Sequence, residues 1–395
     1  MEDDKKYSLK SFYFWKITFS LALASFFVFA SLYAVQPLLP LFVEVYGVTV
    51  STSSLSLSIT VVSLIIGLLV LGFFSDRAGR TGFIHFSLIG SVIPFFLIPL
   101  SDSFFILLLL RFVQGFALAG LPAAAIAYLN EEIDRKSAGI ATALYISSNA
   151  VGGMAGRVLT GYIADTYSWE TAFYFLGGLG LAITLSVFFL LPKSRFFKPS
   201  NGTIKKDIEG FLYHIKNPAL LIVIGMGIVL QLSFTGIWTY LPFHLQEEPF
   251  SLSIEAISYT FFAYGLGVIG SPLAGWLAGK FKLEHVRVVG IIVLSFGVFL
   301  TYIMSLPVII IGLCVMCLGF FTAHSLTATS VAEKAKHHKG SASSLYLVAY
   351  YVGVTLGSSA VSPVWSAGGW LGVVLLAGIL PLVYLMIVQF TLKRI

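Results

Sequence analysis

Two arginines, Arg111 and Arg157, lie inside long apolar stretches of the sequence. An arginine at the centre of a membrane helix costs roughly 2.5–3.5 kcal/mol on insertion scales, so a residue of this kind usually has a function or a dedicated partner. Two interpretations stay open. The guanidinium groups bind an anionic or zwitterionic solute, or each bonds backbone carbonyls together with Gln114 or Asn149 and ties helices together.

Three further residues are candidates for proton coupling. His324 lies well inside an apolar segment, and its near-neutral pKa suits a proton carrier. The alternative is a neutral imidazole bonded to a backbone carbonyl. Glu44 and Asp165 lie near the ends of their segments and are the acids through which the buried arginines would couple to protons.

A set of amide and aromatic side chains suits the recognition of an amphiphilic ligand. Asn149 shares one helix face with Gly153 and Arg157, because the three are spaced i, i+4 and i+8. The alternative for each member is helix packing. Besides the two arginines and Gln114, the predicted substrate-binding residues are Asn149, Gln231, Trp238, Tyr346, Tyr350, Tyr33 and Gln36.

Other kinds of chemistry lack their signatures in this sequence. No phosphate-binding loop of the Gly-x4-Gly-Lys-Ser/Thr type occurs, which argues against a nucleotide-driven pump. Cys314 and Cys317 are the only cysteines, and a metal site would need more ligands. The neighbours His337 and His338 lie among lysines in a solvated loop. We therefore expect no enzyme, no metal and no cofactor.

The composition places these residues in a membrane. Of the 395 residues, 57% are hydrophobic and 11% are charged, against roughly a quarter charged in a soluble domain. A charged start followed by an apolar run resembles a signal peptide, but the run continues past Tyr33 and many similar runs follow. We interpret it as the first membrane helix.

Membrane spans of roughly 20 residues must position these side chains. They are helices, since lipid cannot satisfy irregular backbone. Twelve spans are predicted, at 14–41, 52–74, 83–100, 104–129, 138–164, 169–191, 218–242, 254–278, 287–306, 308–330, 341–364 and 370–392.

The basic residues fix an orientation. Of the 24 lysines and arginines, 22 fall at the termini or in the loops after the even-numbered spans, whereas the alternate loops have none. The positive-inside rule then places both termini in the cytoplasm. The net charge of +6 is explained in this way without a nucleic acid.

The chain also repeats itself. Tyr145 and Gly152 in the fifth span match Tyr346 and Gly353 in the eleventh, at a constant separation of 201 residues. A duplicated helical bundle is a recurring plan among transporters. We therefore predict an N-terminal six-helix bundle at 1–192, a cytoplasmic linker at 193–217 and a C-terminal bundle at 218–395.

Several motifs resemble the major facilitator superfamily, most closely its YnfM-like inner-membrane transport proteins. The loop after the second span, from Gly72 through Asp76 and Arg77 to Gly79 and Arg80, is similar to the signature loop of that family. The fourth span, with Arg111 and Gln114-Gly115, is similar to a motif of its proton-coupled members. The resemblance implies the major facilitator fold, a multi-pass protein of the bacterial plasma membrane, and transport by alternating access.

Two residues depart from the pattern of multidrug antiporters. Arg157 stands where proline normally follows the glycine of the fifth span, and the first span has no carboxylate before Glu44. We expect proton-coupled export of a small organic solute by a monomer, and the alternative is import or exchange of an organic anion or zwitterion. The loop Gly72, Asp76, Arg77, Gly79 and Arg80 is expected to act as a gate, or to be ordinary loop charge.

Overall fold

The structure, a computed structural model, describes residues 6–200, 204–335, 337 and 339–392, without the side chains of 204–208, 339, 340 and 392. Among the basic residues that indicate the orientation, Lys5, Lys336, Lys393 and Arg394 lie outside the described residues, as does His338. The described residues form helices and no strand, and an isolated bridge pairs Tyr7 with Ile133.

Contacts divide the chain into two compact units. The first comprises 1–38, 44–47 and 59–201, and the second comprises 39–43, 48–58 and 202–395. Helices up to residue 201 are α1 (Phe12–Tyr33), α2 (Leu39–Tyr46), α3 (Val50–Ala78), α4 (Thr81–Leu97), α5 (Phe104–Leu118), α6 (Gly120–Glu132), α7 (Ala138–Thr166) and α8 (Trp169–Leu190). The later helices are α9 (Ile204–Ile215), α10 (Pro218–Gln246), α11 (Ile254–Tyr259), α12 (Gly265–Lys280), α13 (Leu283–Leu300), α14 (Leu306–Lys334), α15 (Lys339–Thr355) and α16 (Ser362–Leu392).

Every predicted span overlaps a helix or a run of helices in the structure. Ten stretches of the described chain are long and apolar enough to cross a membrane. The two other predicted spans correspond to α7, whose polar and glycine residues lower its hydropathy, and to α15, which has 17 residues before a π-helical turn at Leu356–Ala360. The prediction of an all-helical membrane protein is confirmed.

Close packing of α1 against α7 organises the first unit. A Cβ atom on Gly152 would lie 2.2 Å from the carbonyl oxygen of Phe26, and one on Gly156 would lie 2.5 Å from that of Ala30. Only glycine fits at such a distance, which lets the two backbones touch. Polar side chains that line this contact are therefore held between two closely packed helices.

Candidate functional site

Arg111 on α5 is fully buried, and neighbouring helices bind its guanidinium group. Nη1 donates to the carbonyl oxygen of Ser31 at 3.0 Å and to Gln114 Oε1 at 2.6 Å, while Nη2 donates to the carbonyl oxygen of Leu32 at 2.8 Å. Gln114 Nε2 in turn donates to the carbonyl oxygen of Ser91 at 2.7 Å. Arg111 and Gln114 thus connect α5 to α1 and α4, as the tying interpretation of the sequence describes.

Arg157 on α7 is also buried, but its described contacts are of another kind. Nε donates to Gln36 Oε1 at 2.7 Å, and Nη1 donates to the carbonyl oxygen of Gly153 one turn earlier at 2.7 Å. The guanidinium carbon lies 4.0 Å from the ring centroid of Tyr33, within the range of a cation–π interaction. The structure therefore brings together Arg157, Gln36, Tyr33 and Gly153, which we call the Arg157 cluster.

Asn149 lies two turns before Arg157 on α7, and its Oδ1 accepts a hydrogen bond from the hydroxyl of Ser25 on α1. The predicted face of α7 therefore carries the amide of Asn149 and, two turns later, the guanidinium of Arg157. The carboxylates predicted to couple to it lie elsewhere in the first unit. Asp165 is exposed and lies eight residues, about 12 Å, beyond Arg157 along α7. Glu44 is exposed near the end of α2.

Aromatic rings surround the predicted residues of α10 in the second unit. Trp238 is fully buried, and its ring centroid lies 4.8 Å from those of both Phe261 and Tyr264. Phe234, one turn earlier, stacks on Phe320 at 3.8 Å. These aromatic faces could bind a flat or apolar portion of a ligand.

Each of the two predicted residues on α10, Gln231 and Trp238, has a buried polar atom with no hydrogen-bond partner among the described residues. Gln231 Nε2 donates to Thr235 Oγ1 at 3.1 Å, while Gln231 Oε1 and Trp238 Nε1 are buried without a partner. A buried donor or acceptor without a partner costs about 1–3 kcal/mol, so a ligand that satisfied these atoms would gain affinity. Gln231 and Trp238 are seven residues apart and share one face of the helix.

His324 on α14 lies against two tyrosines of α15. Its Nδ1 is 2.8 Å from Tyr346 Oη, and its ring centroid is 5.0 Å from that of Tyr350. The imidazole also stacks on Phe320 at 5.5 Å with nearly parallel planes. Three predicted residues, His324, Tyr346 and Tyr350, are therefore in contact. A histidine with a phenol on one ring nitrogen can accept and release a proton while keeping its position.

The predicted gate loop joins α3 to α4 around Arg80. The guanidinium of Arg80 contacts Asp76 and donates to Glu131 Oε1 at 3.0 Å from Nε and 2.8 Å from Nη2. Burial lowers the pKa of Arg80, but hydrogen bonds and charge from Glu131 and Asp76 outweigh it and raise the pKa above its ordinary value. Arg80, Asp76 and Glu131 therefore form a charged cluster that links the loop to α6.

The other loop residues have separate positions. Arg77 Nη1 donates to the carbonyl oxygen of Phe73 at 2.8 Å, and the guanidinium carbon lies 3.5 Å from the centroid of that ring. Gly79 has a φ of +106°, a backbone conformation that residues other than glycine rarely adopt. Gly72 lies within α3 rather than in the turn.

Two residues of this geometry were missed by the sequence reasoning. Glu131 is the main partner of Arg80, and its signal was an acidic pair, Glu131-Glu132, at the basic end of the fourth span. Arg287 was counted among loop cations, yet it lies in the second turn of α13, is 5% exposed and donates from Nη1 to Ser330 Oγ at 2.9 Å. The predicted span began at residue 287, whereas the helix begins at Leu283, because the charged residues of its first turns were assigned to the loop.

A family sequence model and the similar proteins point to the same family. The sequence model described as Major Facilitator Superfamily matches residues 21–358. The chain is 35% identical over 361 residues to the uncharacterized MFS-type transporter YybF of Bacillus subtilis (strain 168), covering 91% of this chain and 89% of that protein. It is 33% identical over 360 residues to the inner membrane transport protein YnfM of Escherichia coli (strain K12), covering 91% and 86%.

Solved structures agree on the fold. A bacterial homologue of the human lysosomal transporter Spinster, in an inward-facing and unoccupied conformation, superposes with a TM-score of 0.77 at 15% identity, covering 97% of this chain and 96% of that one. The relatives are named transporters, which confirms the prediction that the chain is not an enzyme.

Proposed function

Because this chain belongs to the Major Facilitator Superfamily, and is thus a multi-pass membrane protein that carries out secondary active transport, we propose that it exports a small organic solute in exchange for protons by alternating access. We further propose twelve spans in two six-helix bundles, at 1–192 and 218–395, and function as a monomer in a bacterial plasma membrane.

The Arg157 cluster is proposed to bind the anionic group of the cargo. Gln36, Gly153 and Tyr33 hold the guanidinium in one orientation through two hydrogen bonds and a ring contact. These three partners are neutral, and together they position the charge. A planar guanidinium fixed in this way suits a carboxylate, which it can bind through two parallel hydrogen bonds.

Within the second unit, a separate set of residues is proposed to offer ligand contacts and to carry the proton. The rings around Trp238 offer apolar faces, and Gln231 Oε1 and Trp238 Nε1 offer an acceptor and a donor. His324 beside Tyr346 is the proposed proton carrier. A proton drives the cycle only if it binds one conformational state better than the other.

The fixed positive charge of Arg157 also supports a second candidate function, import or exchange of an organic anion or zwitterion. The fixed cation of the Arg157 cluster suits an organic anion or zwitterion, and such a solute is compatible with import or exchange as well as with export. In both cases the cargo class is the same. The direction of proton and cargo movement separates the two functions.

The cargo assignment is tested by thermal unfolding of the purified protein in the presence of a panel of anionic, zwitterionic, neutral and cationic solutes. We expect at least one carboxylate-bearing solute to raise the unfolding temperature of the wild type and to have no effect on Arg157→Ala. If neutral or cationic solutes stabilise both proteins equally, and anionic and zwitterionic solutes stabilise neither, the role of Arg157 is wrong.

The proposed orientation is tested by labelling introduced cysteines, with Cys314 and Cys317 replaced by alanine. Lys198 and Glu248 are both exposed and lie in loops on opposite sides of α10 along the chain. We expect Lys198→Cys to react from the cytoplasmic side and Glu248→Cys from the other side. Reaction of both from one side would contradict the orientation.

A further inference from the structure

A cavity of about 770 Å³ lies in the first unit where α6 ends and α7 begins. Its polar lining includes Lys6, Asn130, Arg135 and Thr142, and Ile126 and Ile133 line its apolar part. Two cationic side chains therefore border an open space that also has an apolar wall. None of the transport residues discussed above lines this cavity.

The N-terminal segment is held in place beside the cavity. Tyr7 forms a parallel bridge with Ile133, in which its N–H donates to the carbonyl oxygen of Glu132 at 2.9 Å and its carbonyl accepts from the N–H of Asp134 at 3.0 Å. Leu9 N–H donates to Ser137 Oγ at 3.0 Å. This backbone pairing fixes the position of the residue that precedes it.

Lys6 is that residue, and it uses one donor locally. Its Nζ donates to the carbonyl oxygen of Asn130 at 2.7 Å. An ammonium group has three donors, so two remain for a ligand. Arg135, two residues after Ile133 of the bridge, is exposed and carries a fork of five N–H donors.

The acidic residues of this region have hydrogen-bond partners that do not belong to the cavity lining. Glu131 bonds Arg80 at 2.8 Å. Glu132 Oε1 accepts from Ser194 Oγ at 2.7 Å and from the N–H groups of Arg195 and Phe196 at 2.6 and 3.0 Å. The backbone N–H of Ser137 bonds Asp134 and lowers the pKa of its carboxyl group. No acidic side chain appears in the described lining.

We propose that this cavity is a binding site for the phosphate group of an anionic amphiphile, with Lys6 and Arg135 as its ligands. The phosphate oxygens accept from both cations and from the Thr142 hydroxyl. The apolar wall of Ile126 and Ile133 covers the adjoining hydrocarbon. The phosphate comes either from an anionic phospholipid headgroup of the adjoining leaflet or from a soluble phosphate ester, and both present the same chemistry to the cations.

The test measures the dissociation constant of phosphatidylglycerol from the detergent-purified full chain by native mass spectrometry, with phosphatidylcholine as the neutral lipid. We expect Lys6→Gln and Arg135→Gln each to weaken phosphatidylglycerol binding about fivefold, and the double variant roughly 25-fold, because each cation near an anionic surface contributes about 1 kcal/mol. Lys136→Gln is the matched control, since Lys136 is exposed beside Arg135 but does not line the cavity. It should change binding less than twofold.

A parallel experiment measures stabilisation by glycerol 3-phosphate in discs of pure phosphatidylcholine. If glycerol 3-phosphate stabilises the wild type but not the double variant, while the two lipids bind equally, the soluble ester is the source and the site is confirmed. The proposal is overturned if neither phosphate compound binds, or if Lys136→Gln weakens binding as much as Arg135→Gln. In the latter case the attraction is general surface charge.

Discussion

Arg111 and Arg157 have the same charge and similar burial but different surroundings. The guanidinium of Arg111 is bound by two α1 carbonyls and by Gln114, which is itself bonded to α4. That of Arg157 is oriented by an amide, a carbonyl of its own helix and the face of Tyr33. The first arrangement ties three helices together, and the second fixes a charge at one place on α7.

Arg111→Gln should therefore destabilise the protein. The substitution leaves the carbonyl groups of Ser31 and Leu32 without their charged donor, which should lower the free energy of unfolding by about 2–6 kcal/mol at 1–3 kcal/mol for each group. Denaturant unfolding in mixed micelles measures the loss. Lys136→Gln, at an exposed cation, is the control and should stay within about 0.5 kcal/mol of the wild type. An equally small effect at Arg111 would show that its hydrogen bonds contribute little.

His324 and Tyr346 make a second prediction at the residue scale. If His324 carries the proton, His324→Asn should abolish the dependence of transport on the pH gradient while cargo exchange continues. Tyr346→Phe removes the hydroxyl 2.8 Å from Nδ1, so the pH midpoint of transport should shift while coupling persists. Flux into proteoliposomes at a series of pH values measures both. Unchanged pH dependence in His324→Asn would exclude this histidine as the carrier.

Sequence alone found most of these residues because charged and amide side chains stand out in apolar runs. It could not name the partners of Arg111, since these are backbone carbonyls at Ser31 and Leu32, which have no signature in the residue types. Glu131 was missed for a related reason. Its partner Arg80 is 51 positions away, and only the fold brings the two together.

At the scale of elements, glycines set the distance between α1 and α7. Gly152 and Gly156 face the backbone of Phe26 and Ala30 directly. Since α1 ends at Tyr33 and Gln36 follows in a short 3-10 turn, the glycines also influence how far those side chains lie from Arg157. Packing of this pair is therefore a condition for the Arg157 cluster.

Gly156→Ala should disrupt that pair. Its Cβ would lie 2.5 Å from the carbonyl oxygen of Ala30, so α1 must move away, at a cost of about 1–3 kcal/mol for overpacking. Gly178→Ala on α8 is the matched control, because nothing lies within 4 Å of its Cβ, and it should be neutral or slightly stabilising. Thermal unfolding of both variants measures the difference. Equal stability would show that α1 and α7 are not held at this distance.

Hydropathy predicted the helices well and their interruptions poorly. The span predicted at 14–41 ends its first helix at Tyr33, and the span predicted at 341–364 changes to a π-helical turn at Leu356–Ala360. Lipid requires each span to satisfy its own backbone, which makes its existence predictable. The position of a break depends instead on the side chains packed against it, and hydropathy does not report them.

At the scale of the whole molecule, the Arg80 loop should influence the rate of the transport cycle. Asp76 is half exposed and is one of two carboxylates on Arg80. Asp76→Asn should leave expression and folding unchanged but slow transport roughly two- to fivefold, as expected for an exposed ion pair of 0.2–1 kcal/mol formed in one state only. Asp102→Asn, in another loop, is the control. Wild-type uptake and efflux rates in Asp76→Asn would show that the loop does not gate.

Proton-driven export is measured most directly in everted membrane vesicles that contain the protein, acidified inside and loaded with a pH-sensitive dye. On addition of the solute that stabilises the wild type but not Arg157→Ala, we expect protons to leave the lumen and the solute to accumulate within it. Vesicles with His324→Asn should show neither proton release nor solute accumulation, although the solute still exchanges across the membrane. Solute that leaves the vesicles together with protons, or that equilibrates without proton movement in the wild type, would contradict the account.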